Sequence, residues 1–360
     1  MLLLGDARQV HLRRWAEYFA QHGYRVMTIS LEAGEGFPGE FRRIHVSEAL
    51  PDAARYPLAA AAVRRIAASF RPGVISAHFL PNYGMIAALL FRDRPWVLST
   101  WGSDVMTDPH KSAFHRWRVG FVLRRAPWVT SDADVMTERI RAFGVPAERI
   151  LTFPYGVDPG VFHPADRVGS NGPRIVTNRK LESVYSVETV IDAFAAVREA
   201  LPDATLTVAG DGSARAALHE RAARSPAAGA ITFVGAIEHA RMPALLQSHH
   251  VYVSAARSDT TSVSLLEAMA CGLFPVATDI PANREWIADG SNGRLVPPDQ
   301  ATKLAVAIID SWRDAELRER ARRINFDTIE RRGRWEETMR PVRELFEKLA
   351  AESPARNSPS

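Results

Sequence analysis

Asp259 and Glu267 stand eight residues apart, either side of the hydroxyl run Thr260-Thr261-Ser262-Val263-Ser264, which leads into the apolar stretch "LLEAMAC". If Val251 to Ala255 is a strand and a helix begins near Ser262 or Ser264, the first-turn N–H groups lack intrahelical partners. That end then carries roughly half a positive charge and suits a phosphate or diphosphate. The hydroxyls of Thr260, Thr261, Ser262 and Ser264 add donors. Glu267 would repel a phosphate, so beside a bound diphosphate it serves better as a bidentate acceptor for a ribose diol. Asp259, on the loop before the helix, would reach the group beyond the phosphates. A nucleoside diphosphate carrying a sugar satisfies both acids. A capped helix whose acid complements its dipole also accounts for this stretch, and on these residues alone both accounts stand.

Other strand-end residues add to the first account. "PRIVTNRK" places Arg179 and Lys180 just after an apolar strand pattern, where two cations beside a helix N-terminus make a diphosphate clamp. "AGDG", Ala209 to Gly212, follows another strand, and Gly210 allows close backbone approach. In the first half, Gly5 follows "MLLL", while His78 with Asn82 and Tyr83 follows "GVISA". "STWGSDV" carries Trp101 and Asp104. Asp104 would either bond a ligand hydroxyl or serve as a turn or helix cap.

These loops need a scaffold that brings them together. Short apolar runs alternate with helical patterns throughout, the signature of β-α-β units and doubly wound parallel sheets. The 360 residues, 46% of them apolar, exceed the usual single core. The expected organisation is α/β: two Rossmann-like domains, residues 1–158 and 173–330, facing each other across a cleft. The Gly/Pro/Asp-rich segment 159–172 reads as a linker, 331–350 as a helix, and 351–360 as a disordered tail. Ligands bind outside the carboxyl ends of the strands in such sheets.

Composition excludes several classes. No apolar run approaches the length of a membrane span, and "MLLLGDARQ" reads as a first strand rather than a signal-peptide core. The single cysteine, Cys271, excludes an intramolecular disulfide and fits a reducing, cytoplasmic compartment. The formal charge of +4 is small, with 20 Lys/Arg against 15 Asp/Glu in the first 160 residues, and no nucleic-acid motif accompanies it.

The second half resembles glycosyltransferase family 4, retaining nucleotide-sugar transferases of GT-B fold. "ILTFPYGVDPGVFHP", "TLTVAGDG" with "ITFVG", "SLLEAMACGLFPVATD" and "REWIADGSNGRLVPP" carry the resemblance. The family's E-x7-E motif falls on Asp259 and Glu267. The resemblance implies that Glu267 holds the ribose, Asp259 the sugar hydroxyls, and the backbone around Val263 and Ser264 the diphosphate. It makes Arg179 the phosphate-binding arginine, sets the base near Ile237 and implies that the helix 331–350 crosses back to the first domain. Four departures stand out. The first motif acid is Asp rather than Glu. The family lysine aligns with Tyr185 and Ser186, leaving either Lys180 to supply a second charge from another position or the clamp to rest on Arg179 and the helix end. Only Gly5 stands where many members carry two adjacent glycines. Trp101 occupies a position where many members carry a histidine.

By this resemblance the chain moves a sugar from a nucleotide donor to a glycan or lipid-linked acceptor held by His78, Asn82, Tyr83, Trp101 and Asp104. A GT-B epimerase acting on the same donor, or an inactive nucleotide-sugar binder, are the alternatives. "DAD", Asp132 to Asp134, mimics the metal-binding D-x-D of the other large glycosyltransferase fold, but its place between a strand and a helix reads as a cap. No divalent metal is expected, because the helix end and Arg179 supply the positive charge. "FHRWRVGFVLRR" sets Phe114, Trp117, Phe121 and Val122 on one helical face among arginines. That face is either core-facing or a surface for peripheral membrane contact.

Overall fold

The computed structural model describes residues 1–47, 49–165 and 169–352. The chain divides into two units, Met1–Phe153 with the segment from Met339 onward, and Pro154–Thr338. Each holds one wholly parallel sheet, seven-stranded in the first and six-stranded in the second.

The first sheet contains β1 (Leu2–Leu4), β2 (Met27–Ser30), β3 (Glu40–Arg43), β4 (Ile75–His78), β5 (Trp96–Ser99), β6 (Trp128–Ser131) and β7 (Ile150–Thr152). Its order is β3-β2-β1-β4-β5-β6-β7. β1, β2, β4 and β5 are buried along their whole length, so the in-and-out alternation of a half-exposed sheet is absent. β3, "EFRR", lies at the edge with its charges exposed or half-buried. It was not expected, because a charged edge strand has neither an apolar run nor an alternating one.

The second sheet contains β8 (Arg174–Thr177), β9 (Thr205–Ala209), β10 (Ile231–Gly235), β11 (Val251–Ser254), β12 (Phe274–Thr278) and the short edge strand β13 (Arg294–Val296). Its order, β10-β9-β8-β11-β12-β13, repeats that of the first. In both sheets the winding reverses beside the first strand. The crevice therefore opens between β1 and β4 in one unit, and between β8 and β11 in the other.

Residues 159–172 are not simply a connector. Phe162, like Val157 before it, is buried in a core cluster of the second unit with Leu246, Leu266 and Met269. Val157 also exchanges backbone bonds with Gly333 and Trp335, at 2.7 and 2.8 Å. Residues 166–168 of that segment, and 353–360 of the expected tail, lie outside the described residues. The charged region after residue 300 forms three helices, Ala301–Arg313, Ala315–Arg332 and Trp335–Glu352. Asp314 caps the second by accepting from Leu317 N at 2.8 Å. The last helix starts in the second unit and continues in the first, where Phe346 stacks on Phe19 with centroids 5.0 Å apart.

Candidate active site

The reversal point of the second sheet gathers the donor candidates. Arg179, two residues past β8, is only 7% exposed. Its Nη2 lies 2.6 Å from Asp259 Oδ2, and its Nη1 donates to Ser264 Oγ at 2.8 Å and to Ser262 Oγ. The guanidinium sits over the Tyr185 ring at 4.2 Å. Tyr252, on β11, has its hydroxyl 2.9 Å from Ser264 Oγ. Burial, the largest single influence, acts against the charge of Arg179, but Asp259, Tyr252 and Tyr185 together outweigh it and the pKa is raised.

Ser262 is the N-cap of the helix Val263–Ala270, its Oγ accepting from Leu265 N. The outermost N–H groups of this helix, at Val263 and Ser264, belong to the first turn that has no intrahelical acceptors, and both residues are half-buried. Thr261 is buried on the same loop. Glu267 lies one turn in, 5% exposed, with Oε1 3.0 Å from His239 Nε2. His239 follows Ile237 on the segment after β10, and its ring packs 5.3 Å from Phe162.

Lys180 points differently from its neighbour: Arg179 is buried and Lys180 exposed. Gly210, at φ +142°, faces the carbonyl of Arg179, so the close approach its missing side chain permits is by the protein's own chain. Leu181 N completes that packing by donating to Asp211 O at 3.0 Å.

In the first unit, several acceptor candidates turn out to be enclosed. Asp104 has no exposed surface and accepts from Leu80 N and Trp101 N, both at 3.0 Å. It thus ties the loops after β4 and β5 together, a positioning role in place of the expected ligand contact. Burial raises its pKa to about 6 against the pull of those N–H bonds. His78 is also fully enclosed, its ring edge-on to Trp15 at 4.7 Å and its Nε2 3.1 Å from Ser76 Oγ. Burial, with a push from His11, lowers its pKa to about 3, so the ring is neutral.

Tyr83 is buried too. Its hydroxyl donates to Glu32 Oε2 at 2.5 Å and accepts from Leu31 N at 2.9 Å. Direct contacts by His78, Tyr83 and Asp104 are therefore corrected to support from beneath. Asn82 and Trp101 remain half-buried at the strand ends. Trp101 lies 5.8 Å from His78 and 5.9 Å from His11. Asn82 Nδ2 donates to Tyr56 OH at 2.9 Å. Gly5 is packed against the Leu12 methyls and His78 Cβ. Phe79, directly after β4, holds φ +72°, an uncommon strained conformation for an aromatic residue.

The "DAD" segment is not a side-chain cap. Ala133 takes the N-cap position with no side-chain bond, and Asp134 complements the helix from its first turn. Among the described residues no group of three His, Cys, Asp or Glu side chains is gathered as a metal site.

Two family models match the chain. Residues 1–133 match "Glycosyl transferase 4-like" and residues 163–326 match "Glycosyl transferases group 1". The chain belongs to the family 4 type of glycosyltransferase. It is 27% identical over 266 residues to glycogen synthase of Mycobacterium tuberculosis, covering 71% of this chain and 64% of that one. The chain thus spans less than two thirds of that relative's length. Its fold is that of sucrose-phosphate synthase from Thermosynechococcus elongatus, with TM-score 0.86, 17% identity and coverage of 98% and 99%. Anabaena HepE, solved with UDP-glucose, superposes with TM-score 0.80 at 18% identity over 96% and 99%.

In this family 4 chain three site contacts were not foreseen: Tyr185 under Arg179, Tyr252 on Ser264, and His239 on Glu267. Tyr185 was noticed only as the place of an absent lysine. His239 had a faint signal, two residues beyond Ile237 on the same segment. Glu32, which holds Tyr83 and sits 3.8 Å from Arg55, had none, being one acid in a loop of Gly and Glu.

Proposed function

We propose that the chain is a retaining glycosyltransferase that moves a sugar from a nucleoside diphosphate sugar to a glycan or lipid-linked acceptor in envelope or polysaccharide synthesis. One observation carries this reading: Arg179, Ser262 and Ser264 converge at the mouth of the helix Val263–Ala270, with Asp259 and Glu267 to either side. A buried guanidinium and an oriented helix end stabilise the negative charge that grows on a departing diphosphate. Glu267, aimed by His239, accepts from the ribose diol, and Asp259 from sugar hydroxyls. UDP-glucose in the Anabaena neighbour makes uracil the first base to test. Arg179 and the helix end supply the positive charge at the leaving group, so no divalent metal is required and EDTA leaves turnover unchanged.

The enzyme works in the cytoplasm at a membrane face, and no helix among the described residues is long and apolar enough to cross the membrane. The deciding experiment is a thermal-shift screen against nucleotide sugars, followed by mass spectrometry and anomeric NMR of products. A stabilising donor whose sugar appears on an acceptor with unchanged anomeric configuration bears out the reading. Conversion of the donor without acceptor would show an isomerase instead, and binding without turnover a sensor.

A further inference from the structure

We propose that the outer face of the helix Ala113–Arg125 is a docking surface for an anionic lipid bilayer. The helix has two apolar stripes. Val119, Val122 and Leu123 are buried in the core of the first unit, so that unit already holds the inner stripe. The outer stripe, Phe114 and Trp117 with Phe121 half-buried at its foot against that core, follows the three- and four-residue spacing that aligns side chains on one side of a helix. Phe114 is 56% and Trp117 54% exposed, the two most exposed aromatic side chains among the exposed large hydrophobics.

The three rings form a continuous ladder, with centroids 5.9 Å apart between Phe114 and Trp117 and 5.3 Å between Trp117 and Phe121. Scattered exposed apolar residues are ordinary, but a contiguous aromatic ladder is not. Its surroundings choose the partner. Between Asp108 and Asp132 no acidic residue occurs, whereas Lys111, Arg116, Arg118, Arg124 and Arg125 all do. Arg116, Arg124 and Arg125 are exposed, and Arg125 lies over the Phe121 ring at 3.8 Å.

Aromatic rings flanked by cations of one sign fit the boundary between anionic headgroups and acyl chains, where rings sit at headgroup depth and guanidinium groups meet phosphates. The helix is also anchored close to the acceptor loop. Asp108, four residues past Asp104, pairs with Arg118 at 2.8 Å and Lys111 at 3.0 Å. A bilayer held on this face would bring a lipid-linked acceptor beside the loop carrying Trp101. That last step rests on the proposed transferase reading, whereas the docking itself does not.

The test uses the full chain without nucleotide or acceptor, so its result is independent of that reading. Cosedimentation is measured with phosphatidylcholine vesicles, alone or with phosphatidylglycerol at about 30 mol %. Expected is binding to the anionic vesicles only, weakened at least about tenfold between roughly 50 and 500 mM salt. The double variant Arg124→Glu/Arg125→Glu and the triple variant Phe114→Ser/Trp117→Ser/Phe121→Ser should each lose at least about tenfold in partitioning. Far-UV circular dichroism identical to that of the parent confirms that they fold. Trp117→Phe should still bind while losing most of the tryptophan quenching by brominated lipids. No binding to anionic vesicles, or equal binding by parent and variants, would overturn the proposal. So would a dimer in sedimentation velocity that the triple variant dissociates, since the ladder would then be a contact between copies of the chain.

Discussion

Asp259 pairs with the cation that the proposed reading gives to the diphosphate. The side chains of Arg179 and Asp259 are 8% and 13% exposed and meet at 2.6 Å. Donor binding must therefore exchange one anionic partner of Arg179 for another. Asp259→Asn makes the exchange visible, since it keeps the shape but removes the competing charge. A charge-assisted bond contributes about 1.5–3 kcal/mol against about 1 for a neutral one. Losing it from a buried cation still held by Ser262, Ser264 and Tyr185 should cost the protein about 2 kcal/mol when assayed without nucleotide. For a unit of this size that lowers Tm by about 4–8 °C.

A bound diphosphate resupplies the missing charge. The variant should therefore bind UDP about 5- to 30-fold more tightly than the parent, equivalent to about 1–2 kcal/mol. Its UDP-induced thermal shift should be correspondingly larger. Turnover with a nucleotide sugar should fall, because Asp259 is then missing where the sugar sits. The assays are isothermal titration with UDP and differential scanning fluorimetry with and without it. If the variant loses UDP affinity, Asp259 works with the diphosphate rather than against it, and the exchange is wrong.

Three other outcomes follow from the same geometry. Glu267→Gln should weaken binding of a nucleotide sugar by about 10- to 100-fold, because it removes an ionised acceptor for the diol; His239→Ala, which only frees that carboxylate, should cost about 3- to 10-fold by the same titration. Gly210→Ala should lower both stability and donor affinity, since its new methyl would collide with the Arg179 carbonyl and push the arginine away; circular dichroism melts and titration read the two losses. His78 holds a pKa of about 3 when folded, so between about pH 6.5 and 3 the unfolded chain binds the extra proton and stability falls with falling pH. Relative to His78→Gln, the parent should lose about 1.4 kcal/mol per pH unit below about 6.5 in urea unfolding, and a constant difference from pH 7 to 5 would refute the enclosed neutral ring.

Periodicity carried the architecture a long way. Buried parallel strands such as Leu2–Leu4 and Phe274–Thr278 are largely apolar along their length, and the loops after the strands carry the polar residues of the candidate site. Arg179, Asp259, Ser262, Ser264 and Glu267 could therefore be assigned to one site before any coordinates. The edge strands Glu40–Arg43 and Arg294–Val296 could not be found this way, because an edge needs little apolar surface and shows no period.

What the chain alone determined was thus local: which segments bury, where strands end, and which hydroxyls and acids flank a helix start. Only tertiary packing decided who meets whom. It paired Arg179 with Asp259 across 80 residues and laid Tyr185 beneath it. It enclosed His78, Tyr83 and Asp104, which sequence position alone had offered to a ligand. It also chose which stripe of the helix Ala113–Arg125 turns inward, sending Val122 to the core and leaving Phe114 and Trp117 in solvent. Hydropathy could not make that choice, because both stripes are apolar and only the shape of the neighbouring elements distinguishes them.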